Sequence, residues 1–316
     1  MLLRLTGERL ALGILTLLAV SVLIFAGTEL LPGDVAQAIL GQTATPAAVA
    51  AIREQLGLNQ PAVLRYLHWL WGFLHGDLGR SLANGRPVAA QLDFRLLNTL
   101  FLASVAACVA VPLAVVLGIL TAINRNGVFD RVVNMLSLSA VSVPDFFIGY
   151  VLILIFAVQL GWLPSLAAVT GSMSLGQRLV AVALPATTLI LVVLAHMMRM
   201  TRAAIIGVMV QPFIETAFLK GLPRWRVVVQ HALPNALAPI INVVAINLAY
   251  LIVGVIVTEV VFVYPGIGQL MVDAVSKRDV PVIQACGLIF GGTYVALNMI
   301  ADLLAILVNP RLRVPR

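Results

Sequence analysis

Residues 96–124 read LLNTLFLASVAACVAVPLAVVLGILTAIN, a stretch that contains no Asp, Glu, Lys or Arg. A helix needs about 20 apolar residues to cross the hydrocarbon core of a bilayer, and this stretch is long enough. The whole chain has a similar character, because 61% of its 316 residues are hydrophobic and 10% are charged. An ordinary soluble domain carries about 25% charged residues, so lipid is the predicted solvent. This composition excludes a cytosolic enzyme, a disordered protein and a disulfide scaffold.

Apolar stretches of comparable length predict six transmembrane helices in all. They cover residues 10–28, 96–124, 132–160, 179–198, 235–263 and 280–308. Twelve Lys and Arg residues lie in the loops and tails on one side of these spans, and three lie in the short loops on the other side. Cytoplasmic loops are enriched in Lys and Arg, so both termini are predicted to be cytoplasmic. The same rule explains the net charge of +7 without a nucleic-acid partner.

The long segment 32–95 is then predicted to face outward and to contain short surface helices. Thr45 and Pro46 suit the N-cap and first turn of one helix, and Gly57 suits its end. Pro61 suits the start of a second helix, whose aromatic residues are typical of the headgroup level. These helices could cover the bundle or could bind a partner, and the sequence leaves both possibilities open.

Catalytic motifs are missing from the sequence. The two lysines, Lys220 and Lys277, are not followed by Ser or Thr, so there is no P-loop for ATP. The four histidines form no HExxH zinc motif, and there is no GxSxG nucleophile elbow. Cys108 and Cys286 lie in apolar runs and are interpreted as small hydrophobic residues. The sequence therefore predicts a non-catalytic membrane protein that draws energy from a partner or from an ion gradient.

The loop 199–234 is the longest predicted cytoplasmic connector and carries five of the twelve inward charges. Residues 211–226 read QPFIETAFLKGLPRWR. Pro212 suits the first turn of a short helix, Gly221 suits its end, and Pro223 suits the start of a second short helix. The apolar side chains predicted to dock a partner are Phe213, Ile214, Phe218 and Trp225. A connector of this length with apolar side chains in water indicates a protein-binding segment.

This loop resembles the EAA loop of ABC-importer membrane subunits. More specifically, it resembles the dipeptide, oligopeptide and nickel permease family, of the first membrane subunit type. The residues that match the family pattern are Thr216, Ala217, Lys220, Gly221, His231, Ala232, Leu233, Asn235 and Ala236. Phe218 and Leu219 depart from it. Family-typical sequence also occurs at 31–34, 76–81, 142–149, 259–268, 278–279 and 309–311, so the resemblance covers almost the whole chain.

The resemblance implies the all-α ABC type-1 transmembrane fold in a bacterial inner membrane. It implies a tail and first helix at 1–31, a periplasmic segment at 32–95, and a transmembrane core at 96–308. The cytoplasmic coupling loop would be 199–234, and a cytoplasmic tail would follow at 309–316.

The resemblance also implies an assembly. The partners would be a second homologous permease subunit, two ABC ATPase subunits and an extracytoplasmic solute-binding protein. ATP and Mg would be bound by the ATPases, and this chain would bind no cofactor. The residues implied to couple it to the ATPases, within the 211–234 loop, are Glu215, Thr216, Ala217, Lys220 and Gly221.

Acidic residues at membrane depth are costly to bury and are therefore candidates for function. Glu259, Asp145 and Phe262 are the candidates for the translocation path or its gate, and Asp302 in the last span is a further acidic residue. Asp145 is expected near a span end, where it could reach the interface. Each acidic residue could equally pair with a polar group on a neighbouring helix.

The alternative function is a secondary transporter driven by protons through Glu259 or Asp302. A membrane enzyme is disfavoured by the missing catalytic motifs. The solute of an importer stays open between dipeptides, oligopeptides, glutathione, opines, sugars and nickel, because selectivity is expected mostly from the external binding protein.

Overall fold

The computed structural model describes residues 2–30, 33–40, 44–55 and 57–308. Within these ranges the regular structure is helical, and the strand-like pairing is an isolated bridge between Arg80 and Pro87. The α-helices are α1 (Leu2–Glu29), α2 (Val35–Leu40), α3 (Pro46–Gln55), α4 (Ala62–Leu74), α5 (Val88–Ile123), α6 (Val128–Val141), α7 (Asp145–Leu152), α8 (Leu175–Ala181), α9 (Ala183–Met209), α10 (Pro212–Leu219), α11 (Arg224–Arg226), α12 (Leu233–Val261), α13 (Ile267–Lys277) and α14 (Val280–Val308). The predicted all-α, polytopic fold is confirmed.

In the described part of the chain, five helical segments are individually long and apolar enough to cross a membrane, and one bent pair of helices is long and apolar enough only when its two members are taken together. These five segments are Gly7–Glu29, Val88–Ile123, Ala183–Met209, Arg224–Val261 and Val280–Ala301. The pair Val128–Val141 and Asp145–Gln159 bends by 103°. The prediction of one continuous span over 132–160 was therefore wrong at its centre. Pro144 explains the break, because proline lacks an amide donor and disfavours helical backbone at the residue before it.

The segment after α10 also differs from the prediction. Helix α11 continues through a π-helical turn, Val227–Ala232, directly into α12. The second short helix predicted after Pro223 is therefore the beginning of the next membrane-crossing segment. On the other side of α10, α9 extends to Met209, well past the predicted end of its span at residue 198. A search for charge-free stretches cannot detect such extensions, because a helix continues beyond the lipid when its charged residues reach water.

Residues 100–264 form the main part of one compact unit. Its core contains α5, α9 and α12, and the large buried residues include Leu102, Met197 and Leu251. Helices α5 and α9 approach closely at Gly118, where an added Cβ would lie 2.7 Å from the Thr201 methyl group. Small residues at such contacts are typical of membrane helix pairs, because they allow the backbones to approach.

The described parts of residues 11–99 and 265–295 form a second compact unit. Here α1 packs against α14 at Gly287 and Gly291, and a Cβ on Gly291 would lie 2.9 Å from Val20. The loop before α5 is held by Asp279, whose carboxylate accepts hydrogen bonds from the Ser81 hydroxyl and from the Leu82 amide, the latter at 2.9 Å. Such buried charge-assisted bonds fix the loop to the start of α14.

Candidate coupling segment and membrane-depth cavity

Helix α10 has one buried face and one exposed face. Ile214 is 0% exposed and Ala217 is also buried, and these residues lie three apart on the same side of the helix. They pack in a cluster with the ends of α5 and α9 and with the start of the α11–α12 segment. This corrects the prediction that Ile214 is available for docking, because its spacing from Ala217 places it against the protein. The cluster attaches α10 firmly to three membrane-crossing segments.

The opposite face of α10 is available to a partner. Glu215, Thr216 and Lys220 are exposed. The exposed large apolar residues of the segment are Phe213, Phe218, Leu219 and Trp225, with Leu219 82% exposed. Of the five predicted coupling residues, the structure therefore places Glu215, Thr216, Lys220 and Gly221 at the surface and Ala217 in the packed base.

Gly221 ends α10 for a definite stereochemical reason. Its φ is +77°, in the left-handed region that a side chain disfavours. Its amide donates to the Phe218 carbonyl at 2.9 Å, and the Leu222 amide donates to the Ala217 carbonyl at 3.4 Å. This pair of bonds is the Schellman arrangement, which satisfies carbonyls that the helix end would leave free. Gly221 thus fixes the angle at which the chain leaves α10 towards α11.

A buried ion pair near the same ends of the helices was not predicted. Arg202 on α9 donates two hydrogen bonds to Asp130 on α6, from Nε and from one terminal nitrogen, both at 2.7 Å. The Asn134 side-chain amide and the Asn126 backbone amide also donate to the Asp130 carboxylate. A bidentate pair of this kind fixes both distance and orientation between two helices. No local sequence pattern indicates this pairing, because the two residues lie 72 positions apart in the chain.

Glu259 and Phe262 lie in a buried polar and aromatic group at the end of α12. Both are 0% exposed, and Phe262 accepts a hydrogen bond from the Ala167 amide at 2.9 Å. Tyr264 is buried beside them, and its amide donates to the Glu259 carbonyl at 2.8 Å. Burial, together with the Glu259 carboxylate, raises the pKa of the Tyr264 phenol above its ordinary value, so the hydroxyl stays protonated.

Arg178 supplies positive charge to this group. It interacts with the Tyr264 hydroxyl, and its guanidinium carbon lies 4.6 Å from the centroid of the Phe101 ring. A guanidinium over an aromatic face is a favourable cation–π contact. The sequence showed Arg178 only as the single basic residue of a short loop, and no local pattern would have paired it with residues 77 and 86 positions away.

Asp145 lies at the junction between α6 and α7. It is the first residue of α7, directly after the bend, and it lines a cavity of about 410 Å³ that α6, α9 and α12 also border. The expectation that it reaches the interface near a span end stays a prediction. The polar residues that share this cavity are His196, Asn247 and Tyr250.

Some predicted features fall outside the described residues. These are the side chain of Asp302, residues 31–32 of the first family stretch, and residues 309–316 with the family stretch 309–311. Among the residues described, no group of three or more His, Cys, Asp or Glu side chains could hold a metal ion.

Comparison with known protein families agrees with this geometry. The family described as "Binding-protein-dependent transport system inner membrane component" matches residues 114–314. Its N-terminal companion, the membrane-component N-terminal family, matches residues 2–103. Together these two matches cover nearly the entire chain.

Individual relatives are similar along their whole length. A protein of Sinorhizobium fredii named "probable peptide ABC transporter permease protein" is 39% identical over 306 residues, which are 97% of this chain and 98% of the relative. A glutathione transport system permease protein of Pectobacterium atrosepticum is 39% identical over 298 residues, 94% of this chain and 95% of the relative. The corresponding protein of Salmonella choleraesuis is 38% identical over 298 residues.

Several helices long enough to cross a membrane, together with the exposed face of α10, are features expected of the membrane subunit of a transporter. This chain belongs to the binding-protein-dependent transport system inner membrane component family, the membrane subunits of ABC importers. It is a multi-pass protein of the bacterial inner membrane, and the predicted family is confirmed. A permease of this family works with ABC transporter partners such as a solute-binding protein and an ATPase, so the proton-coupled alternative is set aside.

Proposed function

We propose that this chain imports peptides as half of a membrane channel, in complex with a second homologous permease and two ABC ATPases. A solute-binding protein would deliver the peptide from outside. The named relatives support this solute class, since one is a peptide permease and another transports glutathione, itself a tripeptide. In this assembly ATP and Mg belong to the ATPases, and this chain holds no cofactor.

The coupling element in this proposal is α10. Its packed base at Ile214 and Ala217 transmits displacement to α5, α9 and α12, because close-packed side chains move together. Its exposed face offers Glu215 and Lys220 for charge pairing and the ring of Phe218 for an apolar pocket. Closure of two ATPases on ATP would push this face and switch the spans from inward-facing to outward-facing. This single observation, a surface helix with an apolar outer face and an anchored inner face, carries the proposal.

The orientation follows the charge distribution. The twelve Lys and Arg residues on one side of the spans, against three in the short loops on the other side, support a cytoplasmic location for α10 and both termini, where the ATPases would bind. The outer end of α12 then carries Glu259 and Phe262, which we assign to a gate on the external side. Their complete burial supports a role in holding the turn after α12 rather than direct contact with the solute.

Isolation of the assembled complex tests this function. The tagged chain is extracted gently from its native membrane, and its partners are identified by mass spectrometry. We expect two P-loop ATPases, a second permease of six spans and, after crosslinking, a solute-binding protein. Recovery of the chain alone, under conditions that preserve a known ABC complex, would contradict the proposal.

A charge change on α10 tests the coupling residues in the same complex. Glu215→Gln is expected to reduce recovery of the ATPases or the ATPase activity that the loaded binding protein stimulates. Glu54→Gln is the matched control, because Glu54 is an exposed residue of α3 in the predicted outer segment. Equal behaviour of the two variants would remove Glu215 from the proposed interface.

A further inference from the structure

The cavity at the α6–α7 bend is the feature of the membrane region that the coupling mechanism leaves unused. Its volume of about 410 Å³ lies within the usual range of small-molecule sites, roughly 300–1,000 Å³. Most of its wall is aliphatic, with residues such as Val141, Leu189 and Val257. A mainly apolar cavity with a few convergent polar groups is the usual form of a site for a small molecule.

Asp145 is the acidic residue of this wall. It is half-buried, and among the described residues no other side chain forms an ion pair or hydrogen bond with it. A carboxylate at membrane depth is expensive unless a positive group approaches it. Its position at the start of α7 offers some compensation from the helix dipole, but a dipole of one short helix is weaker than a full opposite charge.

Other polar side chains in the cavity wall offer hydrogen-bond donors and acceptors beside Asp145. Asn247 uses one amide hydrogen to donate to the Val243 carbonyl at 2.7 Å, and its oxygen remains an acceptor. Tyr250 is exposed and carries a hydroxyl that can donate or accept. His196 is exposed and also lines the cavity.

The bend itself indicates why the site lies here. A discontinuous helix at membrane depth is tolerated where its free backbone groups border a cavity. In secondary transporters, a different class of carrier, solute sites are commonly built at such breaks. Gly254 on α12 also lines the cavity, and an added Cβ there would lie 3.5 Å from the Leu189 side chain.

We infer that this cavity is a recognition site for the ammonium group of the transported solute, with Asp145 as its counter-ion. The inference rests on the proposed function for the identity of the solute, a peptide with a free amino terminus. The inference goes beyond the proposed function, because the permease itself would then discriminate between solutes by their charge. Selection of the solute would not be left to the binding protein alone. Asn247 and Tyr250 would bind the adjoining amide groups.

The first test measures the cavity charge without any solute. Val143, which lines the cavity, is changed to cysteine in a background where Cys108 and Cys286 are replaced. Reaction rates with a cationic and an anionic methanethiosulfonate are compared in vesicles. An ionised Asp145 favours the cationic reagent, so Asp145→Asn should lower the cation-to-anion rate ratio about tenfold or more. Asp93→Asn, an exposed carboxylate outside the cavity wall, should leave the ratio unchanged.

The second test measures transport. The complete transporter is reconstituted with an equimolar mixture of di-, tri- and tetra-alanine, and imported peptide is measured by mass spectrometry. Asp145→Asn should reduce import about tenfold or more, since it removes a charge-assisted hydrogen bond. ATPase activity stimulated by the binding protein should stay within twofold. Asp145→Glu, which keeps the charge, should recover most of the import.

The outcomes separate the two proposals. The cavity assignment would be overturned if Asp145→Asn imported peptide at the wild-type rate, or if it left the cation-to-anion rate ratio unchanged. Either result would leave the importer function intact. Failure of the wild-type assembly to import any alanine peptide, without ATPase stimulation, would instead count against the peptide-importer proposal. In that case the reagent ratio still decides whether Asp145 sets the charge of the cavity.

Discussion

Replacing Gly221 by alanine adds a single heavy atom, Cβ, to the turn that ends α10. Gly221 has φ +77°, and an added Cβ would meet no other atom within 4 Å. Steric collision therefore contributes nothing, and the cost is the left-handed backbone alone, about 1–2 kcal/mol for a residue with a side chain. If the backbone leaves this conformation to relieve the strain, the hydrogen bonds from the Gly221 and Leu222 amides are broken. In either case the conformation that docks the ATPase becomes less favourable by about the same amount.

The assay compares the affinity of the purified ATPase for permease variants held in nanodiscs, together with their thermal unfolding. A cost of about 1–2 kcal/mol predicts that Gly221→Ala weakens ATPase binding about 5–30-fold. Gly221→Asn should be affected less, because asparagine enters the left-handed region more readily. Gly207→Ala is the matched control. Gly207 lies within α9, its Cβ would also meet nothing within 4 Å, and alanine there should stabilise the helix by about 0.5–1 kcal/mol.

Two results would refute this reasoning. One is unchanged ATPase affinity in Gly221→Ala, which would mean that the angle after α10 does not matter for docking. The other is an equal loss of ATPase affinity in Gly221→Ala and Gly207→Ala, which would mean that the positive φ of Gly221 is not the cause of the loss.

The remaining two predictions concern the packing of α10 and the ion pair between α6 and α9. Thermal unfolding in detergent measures the stability of the variants in each case. Ile214→Ala should lower the free energy of unfolding by about 2–5 kcal/mol, because it leaves a cavity in a closed cluster. Leu219→Ala on the exposed face should change stability by less than about 0.5 kcal/mol, and an equal loss in both would contradict the assigned faces. Arg202→Gln should cost about 3–5 kcal/mol, since it removes the ionic partner of a buried Asp130. Arg199→Gln, at an exposed arginine, should have little effect, and similar melting of the two arginine variants would argue against a buried pair.

Local sequence signals located the ends of several helices. Pro46 and Pro212 begin α3 and α10, and the Thr45 hydroxyl accepts from the Ala48 amide at 3.3 Å, as expected of an N-cap. Gly221 ends α10 in the predicted left-handed conformation. These features were predictable because each depends on the stereochemistry of one or two residues.

Long-range features were not predictable from one sequence. The bend at Pro144 has a local signal in the proline itself, but its size of 103° does not follow from that residue, and hydropathy alone predicts one span where the structure has two helices. The pairs Asp130–Arg202 and Ser81–Asp279 join residues far apart along the chain, and only the packing of the helices brings them together. The cavity at Asp145 depends on that bend and on α9 and α12, so the sequence could nominate the residue but not its surroundings.

The measurement that tests the central claim most directly is peptide import driven by ATP. The chain is reconstituted with its second permease and ATPases in vesicles, with the loaded binding protein on the side predicted to be periplasmic and ATP on the side of α10. We predict that import requires ATP, persists when a protonophore collapses the proton gradient, and weakens with Gly221→Ala but not with Gly207→Ala. Import without ATP that the protonophore abolishes would contradict the account.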